Sequence, residues 1–137
     1  MKIRVRKNNC VGCRMCEMAC SLMRKNSMNP FNSAIYVVRG ILGESPVICR
    51  QCKNPKCLSV CPTGAIYKDP ETDTIKILEE DCIGCLECVS GCPFGAMRID
   101  FYNNMVFKCD LCSGAPECVS WCPNGALDVI EDRVKEK

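Results

Sequence analysis

The chain has 137 residues, 47% of them hydrophobic, with 18 Lys and Arg against 16 Asp and Glu and no histidine. That length holds one or two small domains. The missing histidine removes imidazole-based catalysis, no glycine fingerprint for nucleotides is present, and no apolar run approaches the roughly 20 residues that cross a bilayer.

In chain order, Ile3–Val5 reads as a short alternating strand that leads into a first cysteine run, Cys10, Cys13, Cys16 and Cys20. Residues Cys13–Asn26 are predicted to be helical around Cys16 and Cys20, with Ala19, Leu22 and Met23 continuing the pattern. Cys20 is followed by Ser21, Leu22 and Met23, with no proline to stop the helix. Asn29–Asn32 is a predicted turn, Ile35–Val38 a strand, and Gly40 to Pro46 a loop that delivers the chain to a second run, Cys49, Cys52, Cys57 and Cys61. Ile66–Lys68 and Thr74–Leu78, joined by Asp69–Asp73, are predicted to form a hairpin running into the third run, Cys82, Cys85, Cys88 and Cys92. A second hairpin, Arg98–Phe101 and Met105–Lys108 around Tyr102–Asn104, runs into the fourth, Cys109, Cys112, Cys118 and Cys122. Leu127–Ile130 is a closing strand and Glu131–Lys137 a charged tail. After each of the last three runs comes Cys-Pro-x-Gly-Ala plus an apolar residue, at Cys61–Ile66, Cys92–Met97 and Cys122–Leu127. Each of these is a glycine turn that feeds a strand.

The third run, Cys-x2-Cys-x2-Cys-x3-Cys-Pro, has the ligand spacing of bacterial cubane iron–sulfur sites. Three thiolates at that spacing wrap one cluster on a tight loop, whose backbone freedom comes from Gly84. The fourth lies a helical turn further on and, in two-cluster proteins, ligates the other cluster. Pro93 then stops the turn. All sixteen cysteines fall into the four runs. At four per cubane they make four [4Fe–4S] clusters, and no ligand position holds the Asp, Trp or Ser of a three-iron site. Two other chemistries use dense cysteine. A disulfide framework belongs with a secretory signal, but Met1–Lys7 is basic with no apolar run behind it. Structural zinc separates its cysteine pairs by a longer loop than these crowded runs allow.

Without its sixteen cysteines the hydrophobic share falls to about 35%, a thin stock for a core. The clusters are therefore expected to act as core, with a largely unfolded apo chain. Reduced thiolates and the lack of a targeting signal point to a reducing, anaerobic cytoplasm. The formal charge of +2 counts cysteines as neutral. Sixteen thiolates and four 2+ cores bring it to about −6. Residues 1–68 hold 12 Lys and Arg against only Glu17 and Glu44, whereas residues 69–137 hold 6 against 14 Asp and Glu. The basic half is read as offsetting cluster charge and steering a protein partner, not as a nucleic-acid footprint. Phe94 and Trp121, beside fourth cysteines, are read as covers against water.

Residues Cys49 to about Asp100, with run, Cys-Pro-x-Gly-Ala-Ile, hairpin, run and Cys-Pro-x-Gly-Ala, resemble a complete bacterial two-cluster ferredoxin. With all four runs, the chain resembles the four-cluster electron-transfer subunits that accompany pterin-dependent oxidoreductases. That resemblance implies an α+β fold of two ferredoxin-like modules, short hairpins and short helices around the clusters. The inner module is 49–100; the outer one is 1–48 plus 101–137. It also implies nested pairing of the runs, second with third and first with fourth. Spacing alone leaves this open, because the third and fourth runs are also joined by a ferredoxin-like hairpin.

The ligand sets carried over are Cys10, Cys13, Cys16 with Cys122; Cys109, Cys112, Cys118 with Cys20; Cys49, Cys52, Cys57 with Cys92; and Cys82, Cys85, Cys88 with Cys61. In the family, the Cys122 cluster lies nearest the catalytic partner, followed by the Cys20, Cys92 and Cys61 clusters. The implied role is electron transfer without catalysis, between a large catalytic subunit and a ferredoxin or a flavin- or NAD-binding subunit. The short chain, with neither twin-arginine signal nor membrane anchor, is most similar to the small subunits of tungsten-dependent aldehyde oxidoreductases. Subunits of hydrogenases, formate dehydrogenase or carbon monoxide dehydrogenase, and a free polyferredoxin, are the alternatives.

Overall fold

A computed structural model describes residues 1–131. It is a small α+β structure of four two-stranded antiparallel sheets and four short α-helices. The strands are β1 (Lys2–Val5), β2 (Tyr36–Gly40), β3 (Gly43–Val47), β4 (Ile66–Lys68), β5 (Ile75–Ile77), β6 (Arg98–Asp100), β7 (Met105–Phe107) and β8 (Leu127–Ile130). The helices are α1 (Met15–Lys25), α2 (Lys56–Val60), α3 (Glu87–Gly91) and α4 (Glu117–Trp121).

Cys16, Ala19 and Cys20 bury one face of α1 at helical spacing. As expected from the missing proline, the helix runs past Cys20, and Asn26 ends it in the left-handed region at φ 54°, which asparagine tolerates. The other three helices are single turns of five residues, each followed by Cys-Pro. α1 packs on α4 and α2 on α3.

Strand β1 pairs with β8, Ile3 opposite Val129 and Arg4 opposite Asp128. Arg4 and Arg6 both donate to the Asp128 carboxylate, so the two ends of the described chain are tied together. The β4–β5 and β6–β7 hairpins form where the sequence predicts them. In the first, Lys76 holds Asp69 at 2.7 Å across the strands, which keeps that carboxyl down at about 2.

One expectation is corrected. Gly40 to Pro46 is not a plain loop, because Gly43–Val47 is strand β3, paired with β2. Its Gly and Pro hide the strand in the sequence. Pro46 is tolerated because every strand of a two-stranded sheet is an edge. The predicted tail 131–137 lies outside the described residues but for Glu131.

Two apolar clusters fill the interior. One gathers Ile3, Ala34, Ile35, Val37, Ile48, Phe107, Leu111 and Leu127 with Cys16, Cys20, Cys109 and Cys118. The other gathers Ile66, Ile75, Met97 and Val106 with Cys88. Glu17, only 2% exposed, takes Arg14 and the Val37 N–H, and so pins β2 to α1. Among the described residues, no helix is long and apolar enough to cross a membrane.

Candidate metal centres

Each run opens with a loop and enters a helix at its third cysteine; the fourth follows the end of the one-turn helix in the last three runs, whereas Cys20 lies within α1. Cys49, Cys52 and Cys57 line a cavity of about 310 Å³ together with Cys92. Cys82, Cys85 and Cys88 line a tighter hollow with Cys61, among Ala65, Ile66, Ile77 and Val106. Cys10, Cys13 and Cys16 line another with Cys122, covered by Val37 and Pro46 of the β2–β3 hairpin. Cys118 sits in the electrostatic company of Cys109, Cys20 and Cys112. Cys20 also acts on Cys112.

Twelve of the sixteen sequence-predicted residues thus line three hollows, each taking three from one run and one from another; Cys20, Cys109, Cys112 and Cys118 are electrostatic neighbours, with Cys16 and Cys49 also nearby. Among the described residues, no three such side chains converge as they would around a single ion. Those twelve cysteines line hollows instead.

The chemistry of the donors fits a polynuclear iron–sulfur group. Thiolate sets of four are what Fe–S clusters use, and backbone N–H groups already point at sulfur. Ala34 N–H donates to Cys20 Sγ at 3.2 Å, Ala126 N–H to Cys122 Sγ at 3.3 Å, and Leu111 N–H to Cys109 Sγ at 3.4 Å. Burial pushes the Cys16 thiol up to about 12, with Glu17 and neighbouring cysteines adding to it. Burial likewise takes Cys109 to about 12 and Cys88 to about 11, and raises Cys118 further. At Cys61 burial acts the same way but is outweighed by hydrogen bonds from Ile66, Thr63 and Ala65, which lower the pKa. Burial thus favours the thiol form at Cys16, Cys88, Cys109 and Cys118, and binding iron there as thiolate releases protons.

Loop glycines set the approach to the groups. Gly84 has φ +70°, and a Cβ there would sit 2.4 Å from the Asn104 carbonyl oxygen; Gly64 has φ +67° with open space around it. Gly64→Ala is expected to cost only the left-handed strain of about 1–2 kcal/mol. Gly84→Ala adds a collision with backbone and is expected to cost more. Thermal unfolding of the two loaded variants gives the order, and equal losses would contradict it.

Several residues near these groups were not legible in the sequence. Gln51 is 8% exposed and Lys108 5%, and both bind backbone between the second and fourth runs. Gln51 carries no pattern signal. Lys108, standing before Cys109, reads as an ordinary strand end. Phe94 lines the Cys92 cavity while remaining 36% exposed, with Arg50 stacked on its ring at 4.1 Å.

Comparison with known proteins agrees with this chemistry. A 4Fe-4S dicluster domain matches residues 43–132, and a 4Fe-4S binding domain matches residues 7–26. The electron transport protein HydN of Escherichia coli (strain K12) is 38% identical over 99 residues, 67% of this chain and 55% of that protein. The polyferredoxin-like subunit of aliphatic sulfonate oxidoreductase from Pyrococcus furiosus is 38% identical over 111 residues, covering 80% and 64%. The putative electron transport protein YsaA of Escherichia coli (strain K12) is 37% identical over 112 residues, covering 75% and 70%. The chain thus spans little more than half the length of HydN. A solved chain from the active site complex BamBC of benzoyl coenzyme A reductase, in complex with benzoyl-CoA, superposes with a TM-score of 0.56 at 29% identity, over 98% of this chain and 81% of that one. With two thirds of its length matched by one family, this chain belongs to the 4Fe-4S dicluster domain proteins.

Proposed function

We propose that the chain carries single electrons through four [4Fe–4S] clusters, as the electron-transfer subunit of an oxidoreductase complex. The observation that carries the reading is the three-plus-one grouping of twelve cysteines around three hollows, which leaves Cys20, Cys109, Cys112 and Cys118 as the fourth set. The ligand sets are Cys10, Cys13, Cys16, Cys122; Cys20, Cys109, Cys112, Cys118; Cys49, Cys52, Cys57, Cys92; and Cys61, Cys82, Cys85, Cys88. They define an inner module, 49–100, and an outer module made from both ends of the chain. When bound, each cluster takes up and releases one electron. The protein's own part is to hold the sulfurs, aim N–H donors at them and keep water away, which are the levers on cluster potential.

The partner in this reading is a large pterin-dependent subunit of the tungsten or molybdenum, aldehyde-oxidising type, with a second redox protein at the other end. What supports a docked role is the company of the chain's relatives: a polyferredoxin-like oxidoreductase subunit, a subunit of tetrathionate reductase and a chain of the BamBC complex. Anaerobic purification of the native protein tests both halves. The expected material holds about sixteen irons and about sixteen acid-labile sulfides per chain, together with a large subunit containing tungsten or molybdenum. Zinc rivalling iron would contradict the clusters. A chain that purifies alone with full iron would leave a free polyferredoxin in place of a subunit.

A further inference from the structure

Lys108 follows β7 and precedes Cys109, and its side chain is buried, with 5% of the residue exposed. A lysine normally carries its ammonium out to water. This one turns inward. Its Nζ donates to the Ile75 carbonyl and, at 2.8 Å, to the Cys109 carbonyl. Gln51 spans the same two residues: its Nε2 donates to the Cys109 carbonyl at 2.9 Å and its Oε1 accepts from Ile75 N–H at 2.9 Å. Among the described residues, no carboxylate lies within ion-pair distance of Lys108. A buried cation with only carbonyls for company is costly unless negative charge is near.

The nearby charge is sulfur. Lys108 lines the cavity of Cys49, Cys52, Cys57 and Cys92, and its field reaches Cys57 on one side and Cys109 on the other. It stands between two of the four cysteine groups, those that are central in the proposed wire.

We propose that Lys108 is a fixed cation that raises the reduction potentials of the two clusters flanking it, so that the middle of the wire holds the first electrons. The inference rests on the four-cluster reading above. Four thiolates around a 2+ core carry −2, and one added electron makes this −3. The attraction to a fixed +1 therefore grows on reduction and favours the reduced form. Gln51, spanning the same two residues without charge, holds the geometry and contributes no such field.

The test uses the complete iron-loaded chain in anaerobic redox titrations followed by electron paramagnetic resonance, after iron and sulfide have been counted. Lys108→Met and Lys108→Gln are expected to lower two of the four midpoint potentials by at least a tenfold change in the reduction equilibrium, 59 mV for one electron. The other two should stay in place. Lys108→Arg should keep the wild-type values, and Gln51→Leu, which breaks the same bridge and keeps the charge, should leave them near wild type. Full iron content with unmoved potentials, a uniform shift of all four, or the same shift from Gln51→Leu would overturn the proposal. So would neutral variants that fail to load iron while Lys108→Arg loads it, since the lysine would then serve assembly. A wild-type chain short of four clusters would overturn the wire itself, before Lys108 comes into question.

Discussion

Removing iron from the purified chain is expected to unfold it, with loss of most of the far-UV circular dichroism and not merely of the visible colour. The reason lies in the two apolar clusters. Four of the twelve buried members of the first are cysteines, and the second has only five members, one of them Cys88. The helices α2, α3 and α4 are single turns, too short to persist without tertiary support. A domain's net stability is about 5–15 kcal/mol. Structural zinc in zinc-finger peptides contributes about 10–16 kcal/mol, a scale at which bound metal decides the balance. Chelation under reducing conditions, followed by circular dichroism, checks this. A native spectrum after complete iron loss would mean that the apolar clusters suffice.

Cys20→Ala is expected to injure the cluster held by Cys109, Cys112 and Cys118, nearly ninety residues further along the chain. A cubane left with three thiolates is prone to lose one iron and become a paramagnetic three-iron cluster. Double variants locate the damage, because two changes at one site are not additive whereas changes at separate sites are. Cys20→Ala with Cys112→Ala should spoil one cluster. Cys20→Ala with Cys52→Ala should spoil two, and finding only one would mean that Cys20 belongs with the second run. Cys61→Ala should in the same way injure the cluster of Cys82, Cys85 and Cys88.

Legibility in the sequence followed the range of the interaction that sets each feature. The hairpins Ile66–Ile77 and Arg98–Phe107 were readable because alternation and turn residues are local. So was the passage of α1 beyond Cys20, since it depends on the absence of one proline. Strand β3 was missed because its partner β2, not its own Gly and Pro, makes it a strand. The grouping of cysteines across runs was out of reach of spacing, which allows the third run to pair with the fourth as readily as with the second. It was expected only from the family resemblance. What brings the first and fourth runs together is β1 on β8 and α1 on α4, contacts between the two ends of the chain. Lys108 and Gln51 escaped notice for a similar reason: their partners, Ile75 and Cys109, lie on separate stretches.

The most direct measurement of the nested arrangement is a crystal structure of the iron-loaded protein, with the iron atoms located by anomalous scattering. The expected result is four iron cubes, with Cys20 Sγ bound to the same cube as Cys109, Cys112 and Cys118, and Cys92 Sγ on the cube of Cys49, Cys52 and Cys57. A cube touching both Cys20 and Cys49 would contradict the nested sets, and with them the division into inner and outer modules.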